Sequence, residues 1–406
     1  MMHLLFVTPT LPIPISGGRT RIFNLIKQLA ARHQISVVSF IEPAERHRLD
    51  DVRVYCAHLQ LVPFEGFPAL GGWQNRIQGW RRILLSRRPR YVSTFPVDDM
   101  RATLRELVGE CTFDLAVFES LFLVELSREI GSVPALLVEQ NVESDIKRRA
   151  LQHASNPVHL VRDWLVWRKL RTFEQRWVRR FPVCAAVSKR DADRLREIAP
   201  QTEIHMVPNG VDVQRFAPRG ISRDDNTLLF FGTLSYGPNV DALVWFCEEI
   251  WPAVREQRPR VRLEVVGLDP SARVTALDKV PGVDIVGFVP DIRSKLWSAT
   301  ACVVPLRTGG GTRLKILEAL AAGCPVVSTS IGAEGLSVVD GAHLLVADAP
   351  PAFAQRVIDL LDSPELRQRL ATNGCAIVRQ EYDWSSIARL MEKACVRAVD
   401  LHGRGL

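Results

Sequence analysis

At 406 residues, 47% apolar and 24% charged, the chain is too long for one hydrophobic core and too apolar for a disordered protein. Its net charge of +7 is modest for that length, and no apolar run approaches ~18 residues, so a membrane-spanning helix is not expected. Its eight cysteines show no metal-ligand spacing, and Cys184, Cys302 and Cys324 sit inside apolar runs, the usage of core thiols in a reducing cytosol.

The first residues, Met1-Met2-His3-Leu4-Leu5-Phe6-Val7, lack a basic leader and a small-residue cleavage site, so they read as a strand and the chain as cytoplasmic. After a strand over Leu4–Thr8, Pro9 and Pro12 lead through Ser16-Gly17-Gly18 into a helix over Gly18–Arg32. The glycines let backbone approach a ligand closely, or simply connect strand to helix. Further strands are expected over Ile35–Phe40, Asp114–Glu119, Ala135–Glu139 and Val183–Val187. Glu119-Ser120 and Glu139-Gln140-Asn141 stand at strand carboxyl ends, where parallel sheets bind ligands. Glu143 suits a helix start, and Ser188 reads as an N-cap with Asp191 in the first turn. His33 and His153 read as ordinary surface residues.

Two stretches of this half are basic and aromatic. Trp73–Tyr91 holds six arginines and no acid; Arg162–Phe181 holds seven basic residues, three tryptophans and two phenylalanines. Such segments either lie on an anionic membrane surface or pack their tryptophans inward from a solvated helix face. No nucleic-acid motif accompanies them.

A turn at Val207-Pro208-Asn209-Gly210-Val211-Asp212 opens a polar link, and strand pattern restarts at Thr227. Strands are expected over Thr227–Gly232, Val261–Gly267, Val283–Val286, Ala301–Pro305 and Pro325–Thr329. Helices are expected over Asn239–Gln257, Asp291–Ala299, Thr312–Ala322, Pro351–Leu361, Pro364–Gln380 and Ser385–Val399. Apolar strands alternating with helices predict an α/β chain of two doubly wound, Rossmann-like parallel-sheet domains. The expected division is residues 1–206, a linker over 207–224, a second domain over 225–381, and a last helix, 382–406, crossing back to the first.

The strongest local signal is Thr308-Gly309-Gly310-Gly311-Thr312-Arg313-Leu314-Lys315, with Glu318 beyond it. Glycines between a buried strand and a helix N-terminus make an anion cradle, or merely a tight turn. Arg313 and Lys315 add positive charge, and Glu318 shares the face of Gly311. No Asp-x-Asp pair stands at a strand end; Asp98-Asp99 and Asp224-Asp225 read as solvated turns.

The ordered set resembles the family-4 retaining glycosyltransferases of GT-B fold, two such domains facing across a cleft, and in particular bacterial sugar transferases of exopolysaccharide clusters. It comprises Gly17-Gly18, Glu139 through Ser144, Val187-Ser188, Val207 through Asp212, Phe230-Phe231-Gly232, Val265-Val266-Gly267, Val286 through Val289, Pro305 through Glu318, and Ala319 through Val327. The resemblance implies an acceptor-binding first domain and a second that binds a nucleotide diphosphate sugar, a UDP- or GDP-sugar, with no cofactor and no metal. It implies that Glu318 takes the ribose hydroxyls, and places Gly17, Gly18, Gly232, Thr233, Gly309, Gly310, Gly311 and Thr312 around the donor. The family's first carboxylate falls at Gly310, and its Arg/Lys clamp at Thr233 and Pro238. Arg313 and Lys315 are therefore the expected catalytic replacements. On the acceptor side Gln140, beside Asn141, stands where relatives carry a histidine, and Glu119 is the alternative carboxylate; relatives are thought to use the departing phosphate as base. A glycan or lipid-linked acceptor is implied, with peripheral inner-membrane contact through Trp73–Tyr91 or Arg162–Phe181. The alternatives are a nucleotide-sugar 2-epimerase of the same architecture and a non-catalytic nucleotide-sugar binding protein.

Overall fold

A computed structural model describes residues 1–15, 17–64, 89, 95–152, 157–221, 223–309 and 313–404. Ser16, His153, Gly310, Gly311, Thr312 and, except for Pro89, the segment Trp73–Tyr91 lie outside the described residues. The chain divides into two units, Met1–Pro208 with Ala388–Leu406, and Asn209–Ile387.

The first unit is built on β1 (His3–Thr8), β2 (Gln34–Ile41), β3 (His58–Pro63), β4 (Leu115–Phe118), β5 (Ala135–Glu139), β6 (Val183–Ala186) and β7 (Glu203–Met206). All pair in parallel, in the order β3-β2-β1-β4-β5-β6-β7. The register sets Phe6 against Val37 on one side and Val117 on the other. The central strands are buried on both faces, which is why they read as continuous apolar runs. The helix Gly17–Leu29 lays Ile22, Leu25, Ile26 and Leu29 inward, and Arg21 falls on the same buried stripe.

The second unit repeats the plan with β8 (Thr227–Phe231), β9 (Arg262–Val266), β10 (Val283–Gly287), β11 (Ala301–Val304), β12 (Val326–Ser328) and β13 (Leu345–Val346). Its order is β10-β9-β8-β11-β12-β13, again all parallel. Every residue of β8 is buried. Burying a side chain such as Phe230 contributes about 1.5–3 kcal/mol. In both sheets the strand order switches sides beside the first strand of the unit, between β1 and β4 and between β8 and β11. Open parallel sheets hold ligands at the strand carboxyl ends at that point.

The chain leaves the first unit at Pro208 and re-enters it at Ala388. The helix Trp384–Gly403 contributes Glu392, 2.9 Å from His33 Nε2, and Arg397, 2.8 Å from Glu203. His33 is thus not an ordinary surface residue: its side chain is buried, its Nδ1 accepts from the Met2 amide, and Glu392 closes its other side. Nor is Asp98-Asp99 a turn, since both lie in the first turn of the helix Val97–Glu110, where carboxylates face the positive dipole end. Asp224 is not simply solvated; it accepts from the Asn226 amide and the Thr227 hydroxyl and pairs with Arg262, fixing the entry to β8.

Candidate functional site

At the switch point of the second sheet, the loop after β8 and the loop after β11 are both shaped by glycine. Gly232 has φ +145° and Gly309 φ +124°, a region that L side chains rarely adopt. Gly267 is small for a different reason: a Cβ there would stand 1.7 Å from the Gly232 carbonyl oxygen. The β11 loop is tied down on two sides. Arg307 pairs with Asp241 through two bonds, at 3.0 and 2.5 Å, and the Thr329 hydroxyl donates to the Leu306 carbonyl.

Behind that loop, Arg313 is the N-cap residue of the helix Leu314–Ala321 and its guanidinium folds back over Gly309, Nη2 standing 2.6 Å from where a Cβ would lie. Lys315 points the other way. Its Nζ donates to Asn239 Oδ1 at 3.0 Å, lies 4.5 Å from the Phe230 ring centroid, and would be 3.1 Å from a Cβ on Gly232. Asn239, buried, donates in turn to the Thr233 carbonyl at 2.8 Å. The Lys315 ammonium therefore stands in the Gly232-Thr233 loop, while Arg313 stands in the Gly309 loop. Burial pulls the Lys315 ammonium down to about 8, with the Arg313 charge adding to the shift and Cys302 and Glu318 opposing it. Glu318, one turn on, is pushed up to about 7 by burial, against the charges of Lys315 and Arg215. The result is a pair of cations with a carboxyl group behind them, Asn239 holding Lys315 and the Arg215 charge acting on Glu318. Neither Asn239 nor Arg215 was anticipated from sequence; Asn239 could have been suspected from its place beside Pro238 at a helix start.

In the first unit the equivalent point is held by Glu119, whose amide donates to the Val7 carbonyl at 3.0 Å. Its carboxyl is buried, receives a bond from Gln140 Nε2 at 3.4 Å, and faces the buried Arg21. Burial pushes it up to about 7, and Arg21 and Gln140 hold that rise back. Arg21 is itself lowered to about 10 by burial, opposed by Glu119, and donates to the Pro208 carbonyl at 2.8 Å. Gly17 opens the helix, and Gly18 leaves room for Gln140: a Cβ there would be 2.6 Å from Gln140 Oε1. Gln140 and Asn141 line a cavity with Glu119, Ser120, Glu139 and Glu143. Glu139 is raised by burial and by the nearby Glu174, Glu143 and Asp191 carboxylates, and Glu143 is raised to about 7 by burial. Ser188 caps the helix Lys189–Ile198 through the Asp191 amide, at 3.1 Å. Arg21 was missed, although its signal was present: it stands at an apolar-stripe position, four before Leu25.

Gly17, Gly18, Glu119, Gln140 and Asn141 are thus gathered in the first unit, and Gly232, Thr233, Gly309, Arg313, Lys315 and Glu318 in the second. Among the described residues no group of three or more His, Cys, Asp or Glu could hold a metal ion, and no helix is long and apolar enough to cross a membrane.

Residues 225–363 match the family model described as "Glycosyl transferases group 1". The D-inositol 3-phosphate glycosyltransferase of Frankia alni is 32% identical over 213 residues, 49% of this chain and 52% of that protein. An uncharacterized 44.6 kDa protein in the cps region of Klebsiella pneumoniae is 26% identical over 164 residues, 38% of this chain and 42% of that protein. The chain thus spans about half the length of these relatives. Among solved structures, sucrose-phosphate synthase from Thermosynechococcus elongatus superposes with a TM-score of 0.73 at 17% identity, covering 97% of this chain and 98% of that one. Anabaena HepE in complex with UDP superposes at 0.68 and 15%, covering 98% and 100%. The two parallel-sheet units have the fold of the GT-B glycosyltransferases.

Proposed function

We propose that this chain, whose residues 225–363 are a group 1 glycosyl transferase domain in a GT-B fold, is a retaining glycosyltransferase that moves a sugar from a nucleotide diphosphate sugar to a carbohydrate or lipid-linked acceptor. The observation that carries this reading is the pair of cations at one helix N-terminus, Arg313 over Gly309 and Lys315 beside Gly232.

Cleaving the bond from anomeric carbon to phosphate builds negative charge on the leaving nucleoside diphosphate. Fixed cations and a helix N-terminus aimed there stabilise that charge without reorganising. Loss of one comparable donor costs about 2.7–4 kcal/mol elsewhere. Glu318, behind the cations, suits a ribose hydroxyl pair. The first unit holds the acceptor near Glu119, Gln140 and Asn141 in this reading. UDP- and UDP-glucose-bound HepE among the structural neighbours supports a nucleotide-sugar donor. In this reading the product belongs to exopolysaccharide or cell-surface glycan synthesis.

The test is incubation with a panel of labelled UDP- and GDP-sugars, followed by NMR of the anomeric configuration. Transfer, or slow donor hydrolysis with retention, is the expected result. Interconversion of nucleotide sugars, or binding with no turnover across the panel, overturns the reading.

A further inference from the structure

The carboxyl ends of β4 and β5 open on a cavity of about 290 Å³ in the first unit, whose wall includes Phe95, Phe122, Glu119, Glu139, Gln140 and Asn141. That volume is near the low end of ligand pockets, about 300–1,000 Å³, and suits one ring. Two features of the wall point to a ligand. Oε1 of Glu119 and Oε1 of Glu139 are buried with no hydrogen-bond donor, on side chains of residues only 1% and 2% exposed. A buried acceptor left unsatisfied costs about 1–3 kcal/mol, which a ligand bearing O–H donors recovers. Beside them the half-buried Phe122 adds an apolar ring to the wall, backed by Phe95 with ring centroids 6.1 Å apart and planes 23° apart. A ring with hydroxyl edges and C–H faces complements both.

The lack of cationic donors on the described wall narrows the class. Glu119, Glu139 and Glu143 line the cavity, and no lysine, arginine or histidine does so among the described residues. Arg21 reaches Glu119 from the buried side, and Lys147 acts on Glu143. A phosphate or carboxylate would bring further acceptor oxygens to acceptors that already lack donors.

We propose that this cavity seats a single uncharged hexose ring, with hydroxyls donating to Glu119 and Glu139 and its apolar side against Phe122, and that it rejects phosphorylated or acidic polyols. The inference rests on the acceptor role of the first unit given above. It separates this chain from the Frankia alni relative, whose name carries an inositol phosphate.

The experiment titrates the full chain, without nucleotide sugar, with the methyl glycosides of glucose, galactose and mannose and with the matching hexose 6-phosphates, read by saturation-transfer NMR and calorimetry. At least one neutral glycoside should bind, with its 6-phosphate at least about tenfold weaker. Glu119→Gln and Glu139→Gln should each weaken the neutral ring by about tenfold, and Asn141→Ala on the same wall provides a third variant should either fail to fold. No neutral-ring binding, equal or tighter binding of the 6-phosphate, or neutral-ring binding indifferent to all folded variants overturns the proposal. Donor hydrolysis and transfer are measured in parallel samples of the same protein to which the labelled nucleotide sugars are added. Hydrolysis with retention but no preference for a neutral ring overturns this inference alone. Neutral-ring binding that meets these criteria with neither transfer nor hydrolysis from any nucleotide sugar supports it and overturns the glycosyltransferase reading.

Discussion

The ammonium of Lys315 donates to the side-chain oxygen of Asn239 at 3.0 Å, and that bond fixes it in the loop after β8. Asn239 is held by its own bond to the Thr233 carbonyl, so a cation from one helix is delivered to a loop that has none of its own. If the donor diphosphate sits there, Lys315→Met should weaken nucleotide-sugar affinity by about tenfold to a hundredfold. Asn239→Ala should weaken it less, because it frees the ammonium without removing it. Calorimetric titration with UDP- and GDP-sugars measures both; unchanged affinity in Lys315→Met and Arg313→Ala alike would sink the assignment of these cations to the diphosphate.

The same lysine sets a pH dependence. Burial lowers its ammonium to about 8, so its charge is complete well below that value and is lost as pH rises through it. Donor affinity should therefore fall as pH climbs past about 8, and Lys315→Met should remove that limb of the profile while retaining any limb from Glu318, raised to about 7.

Two glycines separate a site effect from a fold effect. A methyl at Gly18 would meet only the movable end of Gln140, 2.6 Å away, so Gly18→Ala should fold but swing the amide away from Glu119. Transfer should drop with donor hydrolysis kept. A methyl at Gly267 would meet the Gly232 backbone carbonyl at 1.7 Å, so Gly267→Ala should cost several kcal/mol, about 3 or more, or prevent folding. Equal melting temperatures for the two variants would contradict this distinction.

The alternation of apolar runs and helices made the sheet centres legible within a residue or two, as at β5, expected and found over Ala135–Glu139. The strands that escaped notice, β3, β7 and β13, are all sheet edges. Edge strands face solvent in part, so His58–Pro63 and Glu203–Met206 mix polar and apolar residues and show no continuous run. The expected single helix Asn239–Gln257 is interrupted by a wider turn at Phe246–Ile250, just before Pro252, which has no N–H to continue the ladder. At the site, the glycine loop and its charges announced themselves locally. The partners Asn239 and Arg215 lie some 75 to 100 residues upstream of Lys315 and Glu318, and only the topology brings them near.

Buried acids should make stability depend on pH. Glu119, Glu143 and Glu174 are each raised to about 7, by burial first, and Glu139 is raised well above its ordinary value. A group raised on folding binds its proton more tightly in the folded state. Its stabilising contribution is whole below the unfolded value near 4.5 and is lost as pH rises through the folded one. The melting temperature should thus decline from about pH 5 to about pH 8, with each buried carboxyl contributing on the order of 1–3 kcal/mol. Glu139→Gln and Glu174→Gln should flatten the decline; a curve that rises over that window refutes it.

Arg223 closes two helix ends at once. Its Nη1 donates to the carbonyls of Leu296 and Ala299, and its Nη2 to those of Ala322 and Gly323, at 2.7 to 3.2 Å. These acceptors lie in or just after the last turns of the helices Arg293–Ser298 and Leu314–Ala321, whose last carbonyls have no partner within the helix. Arg223→Ala should destabilise the second unit by on the order of 2–4 kcal/mol, and Arg223→Lys should recover only part, since one ammonium cannot span the fork. Chemical denaturation reads both.

The helix Pro157–Val178 has two faces of different character. Leu170, Phe173 and Trp177 are buried in the core of the first unit, whereas Leu160, Val161 and Trp164 are 42%, 57% and 43% exposed, with Arg168 over the Trp164 ring at 5.5 Å. Tryptophans packing inward thus account for one end of the segment and not the other. Apolar side chains flanked by arginines suit the headgroup region of an anionic bilayer, where each basic residue contributes about 1 kcal/mol. The chain should co-sediment with phosphatidylglycerol vesicles at low ionic strength and release as salt is added. The Val161→Ser, Trp164→Ser double variant should bind about tenfold more weakly with its melting temperature unchanged, because neither side chain supports the core. Indifference to anionic vesicles at low ionic strength would remove the membrane from the account.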